Sequence, residues 1–147
     1  MNAIKQSGAD GLALQVTKPA RAAGLVEEAG DETTYRADVR VWSFDHFLLV
    51  VDLDRVSETH CSELVVKAAK DSDSVYRAMD SKIQIAGNGY QVQLPPAEDA
   101  GFEVGDRAPC RPVPGVMGIS LDDGTAAGRE AARLGADLVS IRKSQVG

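Results

Sequence analysis

Apolar and polar residues alternate most regularly in the second half of the chain. Apolar positions separated by single polar residues run from Ile83 to Leu94, and Gly87-Asn88-Gly89 interrupts them midway. Alternation with a period of two on both sides of an Asn-Gly turn is typical of a β-hairpin. The pattern therefore predicts a hairpin over residues 82–94.

The elements predicted after this hairpin are short. They are a helical turn at 97–100, an extended segment at 107–113 and a strand at 116–121, separated by Gly-Asp and Pro-Gly turns. Because proline cannot donate a backbone hydrogen bond, Pro109 and Pro112 restrict the extended segment to an edge of a sheet.

The first half of the chain has a different pattern. Residues 1–33 are expected to be poorly ordered or partly helical, with one candidate helix at 17–29. Strict alternation begins at Tyr35 and indicates a strand, and the apolar run centred on 47–51 predicts a central strand covered on both faces. Residues 58–70 have helical spacing, so residues 34–74 are predicted to form a β-β-α element.

The C-terminal residues complete the predicted organisation. A helix is expected at 125–134, ended by Gly135, and Leu138–Ile141 has the composition of a closing strand. Residues 75–147 are thus predicted to form a hairpin module with a C-terminal helix and strand. No internal repeat of useful length is evident.

The second half resembles the swapped-hairpin domain of the AbrB/SpoVT family. That family typically shows a strand, a glycine turn, a second strand that ends in an apolar-Pro pair, a short helix and a Gly-apolar element leading into Gly-Asp. The matching positions are Gly87 or Gly89, Leu94-Pro95, Gly101-Phe102 and Gly105-Asp106. The resemblance covers residues 80–121 only.

This resemblance implies an obligate homodimer and, in many members, binding of double-stranded DNA by a transcriptional regulator or an antitoxin. Four short strands cannot bury a sufficient core alone, which supports a dimer. The expected fold class is α+β, with short antiparallel hairpins forming an AbrB-like swapped-hairpin module. An N-terminal β-β-α element and a C-terminal helix and strand would complete it.

The charge of the chain restricts where DNA could bind. The formal net charge is −6, so phosphate binding needs a local cluster of cations. In a DNA-binding version, the residues that would neutralise phosphates are Arg77, Lys82, Arg107 and Arg111, and those that could reach base edges are Gln84, Gln91, Gln93 or Asn88. The Asp-rich, Lys-poor composition resembles that of proteins from salt-loving archaea.

Other chemistry has weaker support in the sequence. Asp52 and Asp54 follow an apolar strand, as in haloacid-dehalogenase-type phosphatases, but that fold needs a parallel sheet with a helix after each strand. His46 and His60 have no triad partners nearby, and two distant cysteines, Cys61 and Cys110, are expected to be free thiols. We predict no catalytic residue, metal site or cofactor, and no enzymatic activity.

Localisation and function follow from these observations. The longest apolar run, residues 47–51, is far shorter than the roughly 20 residues of a membrane-spanning helix, and no signal peptide is evident, so we expect a cytoplasmic protein. The leading function is a homodimeric, AbrB-like DNA-binding regulator. The alternatives are a non-enzymatic dimeric interaction or ligand-sensing protein and, less favoured, a phosphatase.

Overall fold

Strands dominate the part of the chain that the structure, a computed structural model, describes: residues 3–7, 11–72, 77–94 and 101–146. The strands are β1 (Lys5–Ser7), β2 (Gly11–Gln15), β3 (Val26–Ala29), β4 (Glu32–Arg36), β5 (Asp38–Phe44), β6 (Phe47–Asp52), β7 (Arg77–Ala86), β8 (Gly89–Leu94), β9 (Cys110–Val113) and β10 (Val116–Ser120). The helices are α1 (Thr17–Ala23), α2 (Glu58–Ser72) and α3 (Ala126–Val146).

Eight of these strands form one antiparallel sheet. Their order is β1-β2-β8-β7-β5-β6-β10-β9, whereas β3 and β4 form a separate hairpin. The sheet curls so that its two ends meet: Ala3 pairs with Arg107, and the N–H of Ile4 donates a 2.9 Å hydrogen bond to the carbonyl of Asp106. The eight strands therefore enclose an interior.

The curled sheet has a core on each face. The inner core is a cluster of buried side chains from the strands and α1, which includes Leu14, Ile83 and Val92. The outer core lies between the sheet and helices α2 and α3, and includes Phe47, Leu64 and Leu138. Both clusters hold many apolar side chains, so a single chain buries a core on its own.

Strand β6 belongs to both cores, as its sequence predicted. All six of its residues are buried. Leu48 and Val50 face the inner core, while Phe47, Leu49 and Val51 face the helices. A strand buried on both faces needs a near-continuous apolar sequence, and this explains the run at 47–51.

The predicted fold class is wrong. The short hairpins of the second half do not form a small AbrB-like module beside a separate β-β-α element; they belong to one larger, β-rich fold. The eight-stranded sheet alternates between the halves, because β2 of the first half pairs with β8 and β5 pairs with β7. Local alternation predicted the hairpins correctly but contains no information about this long-range pairing. The homodimer stays a prediction.

The predicted closing strand at Leu138–Ile141 is also wrong, because α3 continues to Val146. Gly135 does not end the helix. Leu138 packs in the outer core, and Nε of the buried Arg142 donates a 2.7 Å hydrogen bond to the carbonyl of Pro114. Tertiary contacts on one helical face therefore outweigh the local tendency of a short apolar run.

The candidate helix at 17–29 divides into two elements. It ends as α1 at Gly24, whose φ of +75° suits a glycine at a helix C-terminus, and Val26–Ala29 forms β3. The predicted helical turn at 97–100 lies outside the described residues. Strand β9 stands at one end of the sheet order, which agrees with the edge position predicted from its prolines.

Two glycines provide a test of the packing around the β9–β10 turn. Gly115 and Gly124 both have a positive φ, but an added Cβ at Gly115 would lie 2.7 Å from Val56 Cγ2, whereas one at Gly124 meets nothing within 4 Å. We expect Gly124→Ala to cost about 1 kcal/mol from backbone strain alone and Gly115→Ala at least twice that. Urea denaturation of both variants measures the difference, and equal losses would contradict the tight packing.

Candidate functional site

One outer surface of the sheet is not covered by the two long helices. Helices α2 and α3 pack against β5, β6, β9 and β10, so the outer surface of β1, β2, β7 and β8 lies away from them. Four adjacent strands with an uncovered face provide a continuous surface on a rigid scaffold. Such a surface is a candidate binding site.

The strand registers identify the side chains on this surface. Leu14 and Val92 are opposite each other and point into the inner core, so their sequence neighbours point outward. The outward-facing polar side chains are those of Lys5, Gln15, Lys82, Gln84, Gln91 and Gln93. We call this surface the amide face.

The amide face differs in charge from the rest of the chain. Asp80 is the single acidic residue in the described β1, β2, β7 and β8, and its carboxylate pairs with Arg40 at 2.9 Å. Lys5 and Lys82 are exposed on the two outer strands. A chain with a net charge of −6 thus has four adjacent strands with amides and cations and one carboxylate, bordered by the exposed Asp38 of β5 opposite Lys82.

The amide side chains lie together across β2, β8 and β7. Gln84 Oε1 accepts long hydrogen bonds from Gln91 Nε2 at 3.5 Å and from Gln93 Nε2 at 3.4 Å. These weak contacts align the amides without fixing them strongly. Glutamine can pair with an adenine edge through two hydrogen bonds, so this row of amides has the chemistry of direct base readout.

The lysines flank the amides at a distance that suits a DNA groove. Lys5 on β1 and Lys82 on β7 are three strand spacings apart, which is about 14 Å. The major groove of B-DNA is about 12 Å wide, and phosphates line both of its edges. Because a groove of this width admits only a helix or a two-stranded ribbon, the four-stranded face would lie across the groove, with the two lysines near the phosphates at its edges and the glutamines facing it.

The four predicted phosphate-binding residues do not form one cluster. Lys82 lies on the amide face and Arg107 at its edge, where it pairs with Ala3 beside β1. Arg77 is at the other end of β7, opposite Ser43. Arg111 is on β9 against α3, because its Cδ would be 3.5 Å from a Cβ added at Gly135. Only half of the predicted set therefore belongs to this surface.

Sequence reasoning missed Lys5 and Gln15. Residues 1–33 were expected to be poorly ordered or partly helical, so no strand was assigned there. The signal that could have found them is the alternation of Leu12, Leu14 and Val16, which repeats the pattern of 90–94.

The Asp52–Asp54 motif has a structural role. Asp52 is fully buried at the end of β6, where its carboxylate accepts hydrogen bonds from Tyr35 Oη at 2.7 Å and from the Asp54 N–H at 3.0 Å. The Arg55 guanidinium lies 4.0 Å above the Tyr35 ring and pairs with Glu27 at 3.0 Å. Burial, together with the hydrogen bond and charge of Asp52, raises the pKa of Tyr35 to about 12. The Tyr35–Asp52 hydrogen bond and the Arg55–Glu27 ion pair anchor the β3–β4 hairpin to the sheet.

Removing the Tyr35 hydroxyl tests that role. Tyr35→Phe leaves a buried carboxylate short of one donor, so we expect the free energy of unfolding to fall by about 1.5–3 kcal/mol. Tyr90→Phe is the comparison variant, because the Tyr90 hydroxyl bonds the Thr33 hydroxyl at 2.7 Å and the exposed Glu28 carboxylate. Neither partner is a buried charge, so loss of the Tyr90 hydroxyl should cost only about 1 kcal/mol. Urea denaturation compares the variants, and a larger loss in Tyr90→Phe would contradict the expectation.

His46 connects two loops through both of its ring nitrogens. Nδ1 lies 2.6 Å from Asp45 Oδ1 and Nε2 lies 3.0 Å from Asp123 Oδ2. Partial burial lowers the pKa of the imidazole, but the hydrogen bonds and charges of the two carboxylates outweigh it, so the pKa is raised above its usual value. Since a carboxylate occupies each nitrogen, the ring is placed to hold the loops together rather than to activate a nucleophile.

The raised pKa of His46 makes stability depend on pH. Protonated His46 stabilises the folded state fully below the unfolded pKa, about 6.5, and this contribution is lost as pH rises through the higher folded pKa. We therefore expect the difference in Tm between the wild type and His46→Asn to shrink from pH 5.5 to pH 8.5, about one unit below and two above that value. Residue 46 has a φ of +59°, and asparagine is chosen because it adopts this left-handed conformation more readily than most residues. A pH-independent difference would show that the ion pairs contribute nothing.

The remaining reactive groups and concavities add no catalytic arrangement. Cys61 and Cys110 are free thiols, and burial raises the pKa of both, that of Cys110 to about 12. No three His, Cys, Asp or Glu side chains within the described ranges lie close enough to hold a metal ion. A groove of about 820 Å³ between α2 and α3 and a cleft of about 650 Å³ between α1 and Cys110 are both open to solvent.

Comparisons with protein-family models, with curated proteins and with solved structures found no match for this chain. Among the helices that the structure describes, none is long and apolar enough to cross a membrane. Function is therefore inferred from the residues of this chain alone.

Proposed function

We propose that this protein is a non-enzymatic, cytoplasmic regulator that binds double-stranded DNA through the amide face. The observation that carries the proposal is the composition of that surface. Glutamines lie across β2, β8 and β7, with Lys5 and Lys82 on the two outer strands. The four strands contain one acidic residue, already paired with Arg40, and Asp38 of the adjoining β5 lies opposite Lys82. Amides flanked by cations match the division between base readout and phosphate contact in protein–DNA recognition.

Two further observations support a nucleic-acid ligand. The separation of the flanking lysines, about 14 Å from the strand spacing, is close to the width of the major groove. Arg107, at the edge of the surface, adds a third cation that can reach a phosphate.

A titration of the protein with a short random-sequence duplex across a salt series tests the proposal. If Lys5, Lys82 and Arg107 each contact one phosphate, the logarithm of the binding constant should fall with the logarithm of salt concentration with a slope of about −3. Lys82→Ala should weaken binding and bring that slope to about −2, whereas Gln91→Ala should alter base preference and leave the slope unchanged. Fluorescence anisotropy measures each constant.

Lys70→Ala is the matched control for this experiment. Lys70 is an exposed lysine on α2, so its loss changes the net charge by the same amount without touching the amide face. We expect its affinity and slope to equal those of the wild type. Equal weakening by Lys70→Ala and Lys82→Ala would show that binding depends on net charge and not on the amide face. No binding at low salt would favour the alternative, a non-enzymatic interaction protein.

A further inference from the structure

The order of strands around the curled sheet is symmetrical. Starting from β2, the successive neighbours are β1, β9 with the segment that leads into it, and β10. Starting from β8, they are β7, β5 and β6. The pairing of β6 with β10 closes the circuit. The strands form four corresponding pairs: β1 with β7, β2 with β8, β5 with β9 and β6 with β10. If the two members of every pair exchange places, the order of neighbours stays the same.

The strand registers obey the same exchange. Any two antiparallel strands have a local two-fold axis, so symmetry within one pair means little. Here separate pairs correspond: Asp38 lies opposite Lys82 between β5 and β7, and Ala3 lies opposite Arg107 at the equivalent junction. The two axial pairs are β2–β8, centred on Leu14 and Val92, and β6–β10, centred on Leu49 and Gly118.

Turns and buried residues correspond as well. The hairpins β5–β6 and β9–β10 both have two-residue turns whose second residue is left-handed, His46 with a φ of +59° and Gly115 with a φ of +77°. Gly24 and Gly101 are also left-handed, and each is followed by a fully buried side chain, Leu25 or Phe102.

The elements that follow the two hairpins also match. Helix α2 follows β6 and helix α3 follows β10, and both pack on the outer core. The main difference is the β3–β4 hairpin, which the first half carries where the second half has residues 103–105.

We propose that one chain is a pair of interleaved half-units and that it binds one DNA duplex as a monomer, with the axis between β2 and β8 centred on the duplex. The inference rests on the proposed function of the amide face. It replaces the predicted homodimer, because the second half of this chain supplies the strands that a second copy would have supplied. A duplex backbone has local two-fold symmetry of its own, so equivalent positions of such a surface can face the two strands.

The two halves of the amide face are not chemically identical. Gln15 and Gln93 occupy equivalent positions, but Lys5 corresponds to Gln84 and Ala13 corresponds to Gln91. A homodimer would present two identical halves and select an inverted repeat. A single chain with these differences should instead select a site whose two halves differ in sequence.

The closing experiment measures mass and site preference on the full-length protein. Light scattering coupled to gel filtration should give 15.6 kDa for the free protein and one chain per duplex in complex with a random-sequence duplex. Duplexes selected from a randomised library should then yield a site that is not an inverted repeat. Gln15→Ala and Gln93→Ala should each relax base preference in one half of that site, and in opposite halves.

The outcomes separate this inference from the proposed function. Three results would overturn the proposal that one chain binds a duplex as a monomer while leaving DNA binding in place. They are two chains per duplex, an inverted-repeat site, or a single variant that relaxes base preference in both halves of the site. No binding to any duplex would overturn both. Circular dichroism of the two variants excludes misfolding as the reason for a lost preference, since both residues lie on the sheet surface.

Discussion

The close contact between β6, β10 and α3 is the constraint on which the rest of the structure depends. Phe47 is fully buried where these elements meet, and two glycines make room for its ring. A Cβ at Gly118 would lie 3.2 Å from Phe47 Cζ, and a Cβ at Gly135 would lie 3.4 Å from Phe47 Cε2. Because both positions have no side chain, β10 can pair with β6 while α3 packs directly above them.

This contact also determines where a ligand can bind. The pairing of β6 with β10 links the β5–β6 hairpin to the β9–β10 hairpin. The packing of α3 on these strands places the helical layer over the β6–β10 side of the sheet. The β1-β2-β8-β7 surface, on the other side, is thereby left without the long helices. Packing at Phe47 and exposure of the amide face are thus two consequences of one arrangement.

The sequence predicted local elements well where alternation and turn chemistry agreed. The hairpin at 82–94, the buried strand through 47–51 and the helix beginning at Glu58 all occur in the structure. It failed where an apolar run fitted two periods, as at Leu138–Ile141, which the outer core holds in a helix. Long-range pairing was not predictable, since nothing local to β2 specifies β8 as its neighbour.

The correspondence between the halves was hidden for a related reason. Equivalent positions preserve burial or backbone conformation rather than identity. The buried Leu14 and Phe47 correspond to the buried Val92 and Val116, and the left-handed His46 corresponds to the left-handed Gly115. A core tolerates many apolar substitutions when its total volume and pattern are kept, so two halves can diverge in sequence while the strand registers persist. Two of the six residues of the amide face were missed with them, because Lys5 and Gln15 lie in β1 and β2, where no strand was expected.

The acidic composition of the chain is compatible with a DNA-binding surface because of where the carboxylates lie. Many are on α2 and α3, including Glu63 and Glu130. A second layer of sheet and a layer of helix, each about 10 Å thick, separate the outer helix surfaces from the amide face. That separation of about 20 Å is twice the Debye length at 0.1 M salt. Phosphates at the amide face therefore experience the nearby lysines far more strongly than the carboxylates on the helices. The nearby carboxylates are Asp80, which is paired with Arg40, and Asp38, which lies opposite Lys82.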